Sequence, residues 1–306
     1  MYDLAIIGGG PAGVAAGVYA ARKRLKTVLI AKEIGGQSNV SGDIQNWIGT
    51  VSISGIDLAT SFRKHLLAYA EDVVDLKEGI LVKSIEKSGN GFVVKTTGGD
   101  FETKTVLVTV GSTRRKIAVP GATEFENKGI TYCATCDGPL FASQDVVVIG
   151  GGNAAFETAA QLLAYCKSVT LLNRGEEFRA DPVTVKKVLS NPKMHAVLNA
   201  ELVEVKGDKF VKGVIYKNNE TGENTEIPVA GVFVEIGLIP STDFIGELLK
   251  KDVYGHIVVD HQTQQTSVAG IWAAGDCTDG LYHQNNIAAG DAVKALEDIY
   301  VHLHTK

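Results

Sequence analysis

An α/β protein carrying two copies of one strand–turn–helix–strand unit, the second inserted into the first, is predicted by three observations. Residues 3–7 (DLAII) form a short apolar strand that enters Gly8-Gly9-Gly10-Pro11-Ala12-Gly13, an alanine-rich helix over 14–24 and a second strand over 27–31. The same order returns at 146–149, Gly150-Gly151-Gly152-Asn153-Ala154-Ala155, the helical FETAAQLLAY and the strand SVTLLN. Late in the chain, SVAGIWAAGDCTDG, whose strand ends at Gly275-Asp276, and a helix over 286–302 resemble nothing in the second copy. They read as the last strand and helix of the first.

The remaining elements follow from that frame. Residues 80–110 alternate like hairpin strands, with SGNG and TGGD as turns, and predict a small antiparallel layer. The inserted domain then covers 114–240, and 1–113 with 241–306 forms a discontinuous outer domain. The crossings STRRKIAVPG (112–121) and GLIPST (237–242) are polar and contain proline, as hinges do.

Composition excludes several classes. With 306 residues, 45% of them hydrophobic, the chain can bury a large core and build two domains. It opens directly on an apolar strand, without the basic stretch, apolar core and cleavage site of an export signal, so a cytoplasmic location is expected. No run approaches the roughly eighteen apolar residues of a membrane helix. A net charge of −5 argues against nucleic acid as a partner. Arg22-Lys23-Arg24 and Arg114-Arg115-Lys116 read as a helix end and a solvated loop.

The glycine turns carry the first chemistry. In G-x-G-x-x-G/A the first glycine permits a tight turn, the second lets backbone approach a pyrophosphate, and the last small residue lets helix pack on strand. The helix N-terminus adds unpaired N–H groups and a positive dipole end. Two copies in matching strand and helix contexts imply two Rossmann-like dinucleotide-binding domains. Glu33, about twenty residues beyond Gly13, suits a ribose hydroxyl, although a turn carboxylate would look the same. The corresponding strand end of the second unit reads Asn173-Arg174-Gly175-Glu176-Glu177-Phe178-Arg179. Arginines there fit a 2′-phosphate better than a free hydroxyl and favour NADPH over NADH, unless they are ordinary surface charge.

Four cysteines without an export signal suggest a reducing compartment. Cys166 and Cys277 have no cysteine neighbour in sequence and read as buried small hydrophobes. Cys133 and Cys136 form a local C-x-x-C pair followed by Asp137.

These features together resemble the low-molecular-weight thioredoxin reductases along nearly the whole chain: GGGPAG, GGQ (35–37), Asn46-Trp47, the strand ending at Gly111, VPG, CATCDG, GGGNAA and the late GDC. The resemblance implies FAD in the outer domain, held by Gly8, Gly10, Pro11, Ala12, Gly13 and Glu33, then by Gly36, Gln37, Asn46 and Gly111, and finally by Gly275, Asp276, His283, Gln284 and Asn285. It implies NADPH in the inserted domain, at Gly150, Gly152, Asn153, Ala154, Ala155 and Glu157 with Asn173, Arg174 and Arg179. It further implies a homodimer, thioredoxin or a similar small dithiol protein as acceptor, and domain rotation that presents nicotinamide and disulfide to the flavin in turn.

The cysteine pair has three possible uses. Zinc needs four ligands, and no second pair is present. A purely structural bridge across so small a loop contributes little. A redox pair explains the spacing, because one sulfur can resolve the mixed disulfide formed by the other. Following the family, Cys136 faces the flavin, Cys133 attacks the partner, and Asp137 relays a proton, its alternative being a helix cap.

The sequence departs from the family at three places. Asn173-Arg174-Gly175 stands where His-Arg-Arg is usual, Thr109-Val110-Gly111 for Ala-Thr-Gly, and His283-Gln284-Asn285 for Arg-Gln-Ala. CDGPLF and FVEIGLIPST also resemble the flavoprotein of alkyl hydroperoxide reductase, which has an extra N-terminal dithiol domain; a separate dithiol protein, reduced with NADH, would take its place here. A reductase fed by ferredoxin or another flavin is disfavoured by the intact GGGNAA turn. A non-enzymatic nucleotide-binding redox sensor would bind cofactor without sustained turnover.

Overall fold

The computed structural model describes residues 1–41 and 44–305, and the chain divides into two compact units, 1–113 with 239–306, and 114–238. In the first, parallel strands run in the spatial order Val74–Glu78, Thr27–Ala31, Tyr2–Ile7, Gly99–Val108 and Ile271–Ala273. The strand Gly99–Val108 is ten residues long and serves two pairings. Its end, Val106–Val108, pairs in parallel with Ile271–Ala273, while Gly99–Thr103 pairs antiparallel with Gly91–Thr96, which in turn pairs with Val82–Ser88. The expected hairpin layer is therefore an extension of the parallel sheet rather than a separate one.

Alternation along the strands sends successive side chains to opposite faces. Leu4, Ile6, Leu29, Leu107 and Trp272 pack with buried residues of the helices Pro11–Arg22, Gly55–Ala70 and Asn285–Thr305. Ala5, Ile7, Val28, Ile30, Val106 and Val108 join Phe92, Val94, Ile257 and Val259 on the other side. Both faces are covered, so these strands read as unbroken apolar runs. Trp272 is 1% exposed, and its Nε1–H donates to Asp298 Oδ2 at 2.9 Å.

The first helix spans Pro11–Arg22 rather than 14–24. Proline suits a first helical turn, where its missing N–H has no partner to lose. At the other end Arg24 adopts φ +59°, while its N–H donates to the Ala21 carbonyl and that of Leu25 to Ala20. That closure stops the helix two residues early.

The second unit repeats the design. Its parallel sheet runs Met194–Val197, Ser168–Leu172, Asp145–Ile149, Gly231–Val234, Ile130–Thr131. A three-stranded antiparallel meander, Ala200–Gly207, Val211–Asn218 and Asn224–Pro228, covers one face through Val205, Val211 and Val214. The helices Asn153–Leu162 and Pro182–Leu189 cover the other with Phe156, Leu162 and Val188. The FETAAQLLAY helix thus begins three residues earlier than expected, directly on the glycine turn.

The two crossings pair with each other as Ser112–Arg114 and Leu238–Pro240. Most of the stretch 112–121, expected as a hinge, lies within the second unit. Ile117 and Val119 pack against the core of the second unit, and the Pro120 carbonyl accepts the Val205 N–H at 3.0 Å.

Candidate functional site

The first glycine turn opens a cavity of about 390 Å³ in the outer unit, a volume typical of small-molecule sites. Gly8 takes φ +118°, and a Cβ there would collide with the Thr109 carbonyl. Gly13 lies against the Gly8 carbonyl, which lets helix and strand close on each other. Gly10 is the reverse case: at φ −73° any residue is allowed, yet a Cβ would point into open space. That is the room a pyrophosphate needs beside a helix N-terminus.

Most of the sequence-predicted flavin residues meet here. Gly8, Gly10, Pro11, Ala12, Glu33, Gly36, Gln37, Gly111, Gly275, Asp276 and Asn285 all line the cavity. Gly13, Asn46, His283 and Gln284 do not. Asn46 instead joins the tail: its Nδ2 donates to Gln284 Oε1 at 3.1 Å, and its carbonyl accepts Asn286 Nδ2 at 2.7 Å. His283 stacks on His256, ring centroids 6.1 Å apart, and its buried Nε2 has no partner among the described residues. Ser38, which no motif singles out, also lines the cavity and donates to Asn285 Oδ1 at 3.4 Å. Nothing local in the sequence marks it, because its partner lies far along the chain.

The second turn has the same backbone. Gly150 takes φ +145° against the Glu235 carbonyl, and Gly152 at φ −95° has open space where a Cβ would lie. Asn153, Ala154, Ala155 and Glu157 occupy the first turns of the helix that follows. Asn153 Oδ1 accepts the Asp181 N–H at 2.7 Å, and the Arg179 N–H donates to the Gly151 carbonyl at 2.7 Å. Asn173 folds the strand end on itself, its Nδ2 donating to the Gly175 carbonyl at 3.1 Å and to the Glu177 carbonyl at 2.8 Å. Arg174 and Arg179 are exposed, and neither guanidinium has an acidic partner among the described residues. Glu235 follows the strand Gly231–Val234 and accepts a hydrogen bond from Thr158 Oγ1 at 2.8 Å. Burial pushes its carboxyl up to about 7.

Cys133 and Cys136 form a disulfide, with Cα atoms 5.3 Å apart. Cys133 caps the single helical turn Ala134–Asp137, and the Cys136 N–H points at Cys133 Sγ at 3.2 Å. Both cysteines are partly exposed. Asp137 does not cap the turn; its Oδ2 accepts a hydrogen bond from Thr131 Oγ1. Thr131, on the strand that leads into the pair, was not legible as a site residue. Gly138 gives Tyr165 room to pack under the turn, where the Tyr165 hydroxyl donates to the Ala134 carbonyl at 3.4 Å.

The other two cysteines are free and buried, as expected. Burial pushes the Cys166 thiol up to about 11 and that of Cys277 to about 12, so neither supplies thiolate near neutral pH. Among the described residues no group of three His, Cys, Asp or Glu is placed to hold a metal, and no helix is long and apolar enough to cross a membrane.

Residues 2–292 match the pyridine nucleotide-disulphide oxidoreductase family. The chain belongs to that family, and membership implies FAD and a nicotinamide nucleotide. It is 40% identical over 294 residues to a protein named NADH dehydrogenase from Bacillus subtilis, covering 96% of this chain and 57% of that one. It is 38% identical over 296 residues to a component of the alkyl hydroperoxide reductase of Escherichia coli, with coverage of 96% and 57%. The chain thus spans little more than half the length of these curated relatives. Among solved structures, thioredoxin reductase from Streptococcus pyogenes superposes with a TM-score of 0.90 at 35% identity, covering 100% of this chain and 99% of that one.

Proposed function

We propose that this protein is a thioredoxin-disulfide reductase that carries electrons from a nicotinamide nucleotide through FAD to the Cys133–Cys136 disulfide and on to a small dithiol protein. The observation that carries the reading is the partly exposed disulfide mounted on a strand end of the same unit as the second glycine turn, with a carboxyl held beside it. In this reading the outer unit holds FAD and the inserted unit holds the nucleotide.

Bound FAD supplies a two-electron carrier that takes hydride from a nicotinamide and passes an electron pair to a disulfide. The residues of the chain do the rest. Gly10 leaves room for the pyrophosphate, and Glu33 and Asp276 on the cavity wall hold hydroxyls. Two electrons entering at Cys136 break its bond to Cys133, and the Cys136 N–H stabilises the thiolate left on Cys133. That thiolate attacks the disulfide of the partner, forming one S–S bond and expelling one partner sulfur. Asp137, oriented by Thr131, relays a proton from solvent to the departing sulfur. Cys136 then attacks Cys133, re-forming the internal disulfide and releasing the second partner thiol.

NADPH is the proposed donor, because Arg174 and Arg179 lie free at the strand end where a 2′-phosphate would sit. A second reading, an NADH-dependent reductase of an alkyl hydroperoxide reductase-type dithiol protein, is favoured by Asn173 and Gly175, which supply no third cation. Exposed Ile48, Val51 and Ile56 on the outer unit supply an apolar surface suited to a homodimer. Free, buried Cys166 and Cys277 suit a reducing, cytoplasmic compartment.

Anaerobic titration with NADPH and NADH, read at the flavin absorbance with and without a panel of thioredoxins, tests the reading. Bleaching followed by multiple turnovers with a thioredoxin is expected. A bleached flavin that reduces no dithiol protein overturns the substrate assignment, and tighter binding of NADH overturns the argument from Arg174 and Arg179.

A further inference from the structure

We propose that Glu235 makes nucleotide uptake by the inserted unit a proton-coupled event, in which the chain captures a proton on the Glu235 carboxyl as the dinucleotide seats on the Gly150 turn. The inference rests on reading that turn as the nucleotide site, and it adds a residue to which sequence reasoning gave no role.

The geometry sets an acid just behind a turn suited to an anion: its backbone lines the turn, and its carboxyl lies against the helix that follows. Glu235 is the first residue beyond the strand Gly231–Val234, which lies in parallel beside Asp145–Ile149. The Glu235 N–H donates to the Ile149 carbonyl at 2.8 Å, and the Glu235 carbonyl lies so close to Gly150 that only glycine fits there. Its backbone is therefore part of the wall of the glycine turn. The side chain then runs along the helix Asn153–Leu162, where Thr158 Oγ1 donates to Oε1.

The charged groups facing this carboxyl are few. Arg114, on the crossing strand, favours the ionised form, as does the Thr158 hydroxyl; Glu157, on the helix, opposes it, and burial opposes it most. The balance leaves the carboxyl changing charge close to neutral pH. A dinucleotide pyrophosphate arriving at the same turn adds negative charge in a poorly solvated place. The ionised carboxylate and the anion disfavour each other, so binding raises the proton affinity of Glu235. By linkage, a site that gains a proton on binding loses affinity as pH rises. The proton comes from solvent, ends on a Glu235 oxygen, and returns when the nucleotide leaves.

The oxidised nucleotides NAD+ and NADP+ serve as probes, because they bind without reducing the flavin. Calorimetric titration of the flavin-loaded protein in two buffers of different protonation enthalpy counts the protons taken up. Protonation of the NADP+ 2′-phosphate is common to wild type and variants, so the difference between them is the quantity read. Near pH 7 the wild type is expected to take up a fraction of a proton more than Glu235→Gln. Its dissociation constant is expected to rise by as much as about tenfold per pH unit above neutrality, while the variant stays within about twofold once any 2′-phosphate titration is subtracted. Thr158→Val, which removes a bond favouring the ionised form, should move the uptake window to higher pH and keeps the test valid if the glutamine variant folds poorly. Equal uptake in wild type and Glu235→Gln, or an unmoved window in Thr158→Val, overturns the inference while leaving the nucleotide site intact. Failure of both nucleotides to bind the inserted unit overturns the site reading and this inference together.

Discussion

The two units share a sheet plan yet use its last strand differently. In the outer unit the fifth parallel strand is Ile271–Ala273, and the residues just beyond it, Gly275 and Asp276, form cavity wall. In the inserted unit the fifth strand is Ile130–Thr131, and the residues just beyond it are the Cys133–Cys136 disulfide. Ile130–Thr131 pairs in parallel with Gly231–Val234, which follows the meander of its unit, whereas Ile271–Ala273 pairs with Gly99–Val108, itself the last strand of the antiparallel extension. Ligands in open α/β sheets gather at the carboxyl ends of strands. The comparison teaches that one position in a repeated scaffold can line a cavity in one copy and carry a disulfide in the other.

The largest expected effect separates the two glycine turns. Gly10 and Gly152 share an extended backbone with free space at the Cβ position, so leucine at either should fold. Gly10→Leu should purify without flavin, whereas Gly152→Leu should purify yellow and resist bleaching by NAD(P)H; absorbance spectra decide, and a flavin-loaded Gly10→Leu would break the parallel.

Next is the fifth-strand position itself. Cys136→Ser should keep its flavin and accept hydride, yet lose more than about a thousandfold in dithiol-protein turnover. Stopped-flow reduction alongside a steady-state assay separates the two, and undiminished turnover would contradict the relay.

A smaller effect sharpens the contrast in buried charge. The Glu235 carboxyl has its proton affinity raised from the ordinary 4.5 to about 7 by burial, which penalises the ionised form in the folded state. Below pH 4.5 it is protonated whether folded or unfolded; between pH 4.5 and about 7 the unfolded chain ionises while the native carboxyl keeps its proton, so the native state loses stability across that window. Glu235→Gln should therefore match wild type in stability near pH 4 and exceed it by up to about 3 kcal/mol at pH 8. Denaturant melts at both pH values check this, and a pH-independent difference would contradict it. The smallest effect concerns Thr131→Val, which strips Asp137 of its hydroxyl partner. It should slow dithiol transfer by about tenfold, with Thr131→Ser restoring the rate.

The parts of the fold that repeat were the most legible. Both glycine turns, their strands and the returning tail announce themselves through local pattern, because buried parallel strands must be apolar and tight turns must use glycine. Helix limits were less so, since Pro11 opens a helix as readily as it ends a turn and Arg24 gives no local sign of its left-handed backbone. At the site, the cysteine pair and the turn residues could be named in advance. The pairings Asn46–Gln284, Ser38–Asn285 and Thr158–Glu235 could not, because each joins residues remote in sequence and ordinary in type.

The order in which the fifth strands appear along the chain sets a timetable for synthesis. The inserted unit has every strand between residues 114 and 238 and can complete its sheet as soon as that stretch leaves the ribosome. The outer unit lacks Ile271–Ala273 and Asn285–Thr305 until after the whole inserted unit has been made. Its unpaired strand edge at Val106–Val108 must wait through the emergence of the whole inserted unit, which makes that interval the one in which nascent chains are most exposed to chaperones and to aggregation.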